Sequence, residues 1–121
     1  MITLAIQCMG EATALTASYG LKAADVLDII TNTVFTCPSY QRYGAYIATD
    51  TYVPGFPLAL GLNDVNLALD ATKARQANLP ALQLVHDTMT DAMAQGLGAH
   101  DWSNLAEVTQ RRASGGGGGR G

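Results

Sequence analysis

Few side chains in this sequence are of the kind that do chemistry, and they do not gather by spacing. The most suggestive stretch is a turn at Pro54-Gly55-Phe56, followed by Leu60-Gly61-Leu62-Asn63-Asp64 and an apolar run from Val65 to Leu69. A turn, then a polar pair at a helix start, can present an amide and a carboxylate into a cleft. Taken alone, Asn63 or Asp64 reads more simply as a helix cap or a complement to the helix dipole. His86 and His100 fall on separate elements without partners at metal-ligand spacing. His86 lies one position off an apolar stripe and reads as a partly exposed structural residue, and His100 reads as solvated. There is no HExxH, no phosphate-binding loop and no GxGxxG at a strand-to-helix turn. The glycine run near the end has no strand before it. Neither a metal site nor a complete catalytic set is legible.

Other reactive types have plain structural readings. Cys8 and Cys37 fit no disulfide framework or metal motif, and read as free thiols packed like small apolar residues. Glu11 is a lone carboxylate in an apolar helix. It reads as part of the least buried side, with Thr3 and Gln7 along the same face, because a lone buried carboxylate is costly. Tyr40, Tyr43 and Tyr46 could line a binding cleft, but such a stripe is more often core or interface, where each hydroxyl finds a partner.

The elements that must position these residues are helices. From Ile2 to Tyr19 there is no proline and a single charge. One apolar stripe is Ile2, Ala5, Ile6 and Met9, and beside it runs Leu4, Cys8, Ala12, Leu15 and Tyr19. Two adjoining stripes make a spine buried on several sides. Gly20 supplies a left-handed stop. A second helix is expected over about Lys22 to Asn32, and a third from Pro38, a first-turn proline, with Tyr40, Tyr43, Tyr46 and Ile47 on one face. Ala48 to Pro57 reads as a loop. The fourth helix is expected from Leu60 or Leu62 to Asn78. The fifth begins at Pro80 and is ended by Gly96 and Gly98, with Leu82, Val85, Met89, Ala92 and Met93 near i, i+3, i+7 spacing. Asp101 is a natural N-cap for a last helix with Trp102, Leu105 and Val108 inward. Residues 114–121 form a glycine-rich flexible tail. No alternating strand pattern of useful length appears, so the fold class is all-α, with one domain over residues 1–113.

Composition narrows the partners. Of 121 residues, 48% are hydrophobic and only 14% charged, against roughly a quarter charged in an ordinary globular chain. A surface so poor in charge is expected to be covered by another protein surface, through oligomerisation or docking onto a further domain. The net charge of −3 and seven scattered basic residues argue against nucleic acid and against an anionic membrane surface. The apolar N-terminus is interrupted by Gln7, Glu11 and threonines, and has no basic n-region, so neither a membrane span nor a secretory signal is expected and the expected location is cytoplasmic.

The segment Gly55-Phe56, Leu58, Leu60, Asn63-Asp64, Leu67-Ala68-Leu69 resembles the C-terminal pattern of the β-hydroxyacid dehydrogenase family, which includes 3-hydroxyisobutyrate dehydrogenase. That pattern is a Gly-Phe, a leucine-bearing stretch, Lys-Asp and a leucine-rich helix. Gly10-Glu11-Ala12 with Tyr19-Gly20-Leu21 resembles the family's Glu-Ala helix and its glycine turn. Leu79-Pro80, Gly96 and Asp101-Trp102 continue the likeness over nearly the whole chain. The resemblance implies a fold like the C-terminal domain of 6-phosphogluconate dehydrogenase, the helical partner of an N-terminal Rossmann domain. It implies a substrate-side and dimerisation role in an enzyme that moves hydride between NAD or NADP and a small hydroxy acid, with a homodimer or a Rossmann domain as partner. By resemblance, Phe56, Asn63 and Asp64 face the cofactor. Two departures stand out. The family's catalytic lysine and its nearby asparagine lie upstream of Met1, and its Lys-Asp pair reads Asn63-Asp64 here. The chain alone is therefore expected to be inactive and to bind no cofactor. The alternative is a free-standing helical oligomerisation or binding protein, and a weaker one is a ligand-binding module with a tyrosine-lined pocket.

Overall fold

A computed structural model describes residues 1–115. Six α-helices lie among the described residues: α1 Ile2–Ala17, α2 Ala23–Thr31, α3 Pro38–Thr49, α4 Leu58–Arg75, α5 Pro80–Ala94 and α6 Leu105–Ala113, with a 3-10 turn Trp102–Asn104 before the last. There is no β-strand among them, and the all-α expectation holds. Pro38 and Pro80 open α3 and α5, where a missing N–H costs nothing. Gly20 and Gly96 take the left-handed conformation expected of helix stops, with φ of +82° and +84°. The glycine-rich tail beyond Gly115 lies outside the described residues.

The core gathers Ile6 and Met9 of α1, Leu27 of α2, Ile47 of α3, Leu58 of α4, Met89 of α5 and Leu105 and Val108 of α6. The most extensive helix pair is α1 with α6. They approach closely because Gly10 faces Ala106 and Thr109, where an added Cβ would stand 3.3 Å from the Ala106 Cα and the Thr109 Cβ. The Thr109 hydroxyl donates to Gln7 Oε1 at 2.9 Å, and the Gln110 amide donates to Thr13 Oγ1 at 3.2 Å. These bonds satisfy polar groups buried at the seam. At the far side Arg112 ties α6 to α5 through Asp91 and the Thr88 hydroxyl.

The spine helix is half as buried as its pattern suggests. The stripe of Ile6 and Met9 is core, whereas Cys8, Leu15 and Tyr19 of the second stripe are exposed, the last two to 63% and 80%. Both cysteines are exposed free thiols rather than packed ones. The expected grouping of Thr3, Gln7 and Glu11 on one open face is also corrected. Thr3 and Gln7 are buried and Glu11 is exposed, because the close approach of α6 covers the Gln7 side.

Helix α4 departs most from expectation. It begins at Leu58, not at Leu60 or Leu62, and ends at Arg75 rather than Asn78. Its opening amides are satisfied from far along the chain: Leu58 N–H donates to the His100 carbonyl at 2.8 Å and Ala59 N–H to Gly98 at 2.9 Å. No local side chain caps it, so no local signal marks its start. It stops on Gln76 in the left-handed conformation, φ +54°, a role usually given to glycine. Asn63 and Asp64 thus lie in the second turn, and neither caps the helix.

Tyr52, in the loop before α4, has a buried hydroxyl without a hydrogen-bond partner among the described residues. Burial first, then the nearby Glu107 and Asp50 carboxylates, push its phenol well above the usual tyrosine range. A phenol whose folded pKa is raised favours the fold below its unfolded value near pH 10.0, and that contribution is lost as pH climbs further. Tyr52→Phe is therefore expected to keep stability at neutral pH and to flatten the alkaline decline seen in the parent. Urea midpoints measured on both proteins from neutral to strongly alkaline pH check this; parallel declines would refute it.

Candidate functional site

A cleft of about 740 Å³ opens between the first turn of α1, one face of α4 and the start of α5. Ile2 to Leu4 form one wall, Leu79, Leu82 and Val85 another, and Gly61, Asp64, Val65 and Ala68 of α4 a third, with Trp102 among the lining residues. Gly61, Asp64, Val65 and Ala68 share one helical face by their spacing. Apart from Asp64, none of the lining side chains is ionisable.

Gly61 shapes this cleft. A Cβ there would meet the Met89 methyl at 2.8 Å, Trp102 Cε3 at 3.3 Å and the Phe56 ring at 3.7 Å. Its bare backbone lets α4 lie against the indole. Two side chains hold the indole: Tyr43, whose hydroxyl accepts from the indole N–H at 3.0 Å and whose ring meets it edge-on, and Phe56, which packs 4.5 Å away, centroid to centroid. The Phe56 loop is in turn clipped to the Trp102 turn. Asp101 Oδ1 accepts from the N–H groups of Gly55 and Phe56 at 3.0 and 2.9 Å. Oδ2 accepts from the Ser103 N–H at 2.9 Å and from its hydroxyl. Trp102 N–H donates back to the Phe56 carbonyl at 2.8 Å.

The three residues expected to face a cofactor part company. Asp64 lines the cleft. Phe56 is half-buried and supports the floor through Trp102, without lining the cleft itself. Asn63 is exposed and outside the lining, because it stands one residue, about 100° of helix, before Asp64. The tyrosines pack inward: Tyr43 is buried, Tyr40 stacks on Phe35 at 5.1 Å and Tyr46 meets Tyr43 edge-on. Neither this cleft nor a smaller one between α2 and α3 has a tyrosine in its lining. His86 lies beside Asp87, 3.2 Å from its carboxylate, and His100 contributes its carbonyl to α4. Among the described residues no three His, Cys, Asp or Glu side chains gather as a metal site, and no helix is long and apolar enough to cross a membrane.

Sequence reading missed the double use of Asp101 and the place of Gly61 and Trp102 in the cleft. Asp101 was legible as an N-cap, which it is. Nothing local announces that its second oxygen holds a loop far upstream.

Residues 1–109 match the family model described as the NAD-binding region of NADP-dependent 3-hydroxyisobutyrate dehydrogenase. An uncharacterised oxidoreductase of Bacillus subtilis, YfjR, is 36% identical over 101 residues, covering 83% of this chain and 35% of that protein. In fold, the chain is similar to 3-hydroxyisobutyrate dehydrogenase from Salmonella typhimurium, with a TM-score of 0.80, 22% identity, and coverage of 88% of this chain and 38% of that one. It is also similar to Mycobacterium tuberculosis 3-hydroxyisobutyrate dehydrogenase with L-serine, with a TM-score of 0.73, 27% identity, and coverage of 88% and 40%. The chain thus spans between a third and two fifths of the length of these relatives. By the match over residues 1–109, it belongs to the 3-hydroxyisobutyrate dehydrogenase family of NAD(P)-dependent hydroxyacid dehydrogenases.

Proposed function

We propose that these residues are the C-terminal, substrate-side domain of an NAD(P)-dependent dehydrogenase of small 3-hydroxy acids, and that alone they do not turn over. The observation that carries this reading is the apolar cleft with Asp64 as its lone ionisable side chain, bounded by the first turn of the spine helix. Such a wall suits the nicotinamide end of a dinucleotide and the carbon skeleton of a small substrate. It offers no basic side chain for the diphosphate or for a substrate carboxylate, so those contacts must come from a Rossmann domain. When bound, the cofactor supplies or accepts hydride. This chain's residues exclude water from that transfer and bound the substrate: Val65, Leu82 and Val85 by their apolar surface, Gly61 by letting α4 close on the indole. The lysine that moves the proton in the family pattern is not among residues 1–121, and position 63 carries a neutral amide in place of the pattern's lysine.

The test is a chimera. Joined behind the Rossmann half of the Salmonella relative in place of its own helical domain, these residues are expected to support nicotinamide-linked turnover of a 3-hydroxy acid, while the purified chain shows none. Turnover by the isolated chain, or a folded chimera without activity, would overturn the reading.

A second reading, a free-standing helical oligomerisation protein, is favoured by one observation. Leu15, Tyr19, Leu21, Val34 and Phe35 are all exposed on the end of α1 and the segments that follow. A homodimer covering them would suit the low charge of the chain. Sedimentation of the parent against Leu15→Glu checks it: a dimer that the charge dissociates supports the reading, and a parent that stays monomeric at high concentration rejects it.

A further inference from the structure

We propose that the smaller groove, of about 320 Å³ between α2 and α3, takes the guanidinium group of an arginine side chain presented by another polypeptide. The groove shares no lining residue with the cleft between α1, α4 and α5. The proposal therefore stands or falls apart from the dehydrogenase reading.

The polar side chains of this groove are Asp28, Thr31, Asn32 and Gln41, and nearly all their hydrogens are spent on α2 itself. The Thr31 hydroxyl donates to the Leu27 carbonyl at 2.8 Å. Asn32 Nδ2 donates to the Asp28 carbonyl at 3.0 Å and to Asp28 Oδ1 at 2.8 Å. Gln41 Nε2 reaches across from α3 to the Thr31 carbonyl at 3.4 Å, which leaves its second N–H as the single uncommitted side-chain donor. What remains free is a set of acceptors: Asp28 Oδ2, the amide oxygens of Asn32 and Gln41, and the lone pairs of the Thr31 hydroxyl. Asp28, Thr31 and Asn32 stand at the last turn and cap of α2, where the negative end of the helix dipole adds its pull on a cation. No Lys, Arg or His lines the groove. A guanidinium answers such a lining, because it carries the opposite charge and a planar fork of five N–H donors with no acceptor. An ammonium brings only three donors from one point and is more strongly hydrated. The walls leave room for a flat group, since Ala24 on α2 and Gly44, Ala45 and Ala48 on α3 carry at most a methyl. Gly44 also lets α3 close over the floor, where an added Cβ would stand 3.0 Å from Thr31 Cγ2. A carboxylate would meet Asp28 with no basic side chain to offset it. For that reason the source is an arginine within a polypeptide, whose carboxyl is tied up in a peptide bond, rather than the free amino acid.

The experiment titrates the isotope-labelled full chain with arginine blocked at both ends (N-acetyl, N-methylamide), and with lysine and citrulline blocked in the same way. Amide chemical shifts give both the affinity and the place of binding. Blocked arginine is expected to saturate in the millimolar range, with shifts centred on Asp28, Thr31, Asn32, Gln41 and Gly44. Blocked citrulline, its neutral near-isostere, should bind roughly fivefold more weakly, as one exposed charge pair allows, with blocked lysine between the two. The ratio should shrink with added salt. Free arginine should bind no tighter than the blocked form. Asp28→Asn should bring arginine and citrulline within about twofold without changing the circular dichroism, since Asp28 is exposed. Ala45→Leu, which fills the groove from its exposed rim, should weaken every probe. Equal affinities for arginine and citrulline, lysine binding tightest, no saturation at millimolar concentration, or shifts centred elsewhere would each overturn the proposal. So would a charge preference that survives in Asp28→Asn. Free arginine binding tighter than the blocked form would overturn the polypeptide source.

Discussion

Asp101→Ala is expected to cost the domain about 3–4 kcal/mol, a large share of the 5–15 kcal/mol that holds a domain of this size folded. The carboxylate is 3% exposed and accepts four bonds, from the Gly55, Phe56 and Ser103 N–H groups and the Ser103 hydroxyl. Bonds to a charged acceptor are worth roughly 1.5–3 kcal/mol each, and stranded donors are costly when buried. Water reaching Gly55, which is exposed, recovers part of the loss, so the sum stays well below four full bonds. Asp101→Asn keeps one acceptor oxygen and should cost about half as much. Urea unfolding followed by Trp102 fluorescence measures both. The native emission of Asp101→Ala should also shift to the red as the Phe56 loop loosens over the indole. Equal, small effects of the two substitutions would show that the clip does not hold the loop.

The second large effect is a matter of size at one position. Gly10→Leu is expected to destabilise by about 3 kcal/mol or more, and Gly10→Ala by no more than about 1 kcal/mol. An alanine methyl would sit 3.3 Å from the Ala106 Cα and 3.4 Å from its Cβ, a contact relieved by shifts of a few tenths of an ångström. The gain of alanine over glycine inside a helix, about 1 kcal/mol, offsets the squeeze. Leucine has no such remedy. It must push α6 off α1, at an overpacking cost of roughly 1–3 kcal/mol. The separation also breaks the bond from Thr109 to Gln7 and strands two polar groups that are buried now. Thermal or urea unfolding of both variants decides it. A Gly10→Leu protein of parental stability would mean that the α1–α6 seam is not the tight one.

How much of this molecule is legible in its sequence depends on how far along the chain each residue's influence reaches. Gly20, Pro38, Pro80 and Gly96 act within a turn of where they stand, so four helix boundaries can be read to within a few residues. The apolar spacing of α5 likewise names its buried side, Val85, Met89 and Ala92. The spine helix shows its apolarity, but not that Leu15 and Tyr19 stay open, because exposure depends on which neighbours arrive. The start of α4 is invisible for a related reason: its caps are the carbonyls of Gly98 and His100, and any residue has a carbonyl. At the candidate site, Asp64 stands out in the sequence through its place in a family pattern, and in the structure it lines the cleft. Asn63 stands at the lysine position of the same pattern, and the helix turns it to a different face, outside the cleft lining. Gly61 and Trp102 cannot be paired from sequence at all, since the gap left by one side chain is filled by another from a distant turn.

The borrowed cap of α4 has a consequence for the order of events as the chain is made. The first amides of that helix have no acceptors until the Gly98–His100 segment has been synthesised and folded back. Until then the Phe56 loop has no anchor either, since Asp101 lies just beyond. Two parts of the cleft, the α4 face and the indole, therefore reach their final setting only at that point, and together. A ligand of this cleft would meet a surface only when nearly the whole domain is complete, and its binding would report on finished molecules.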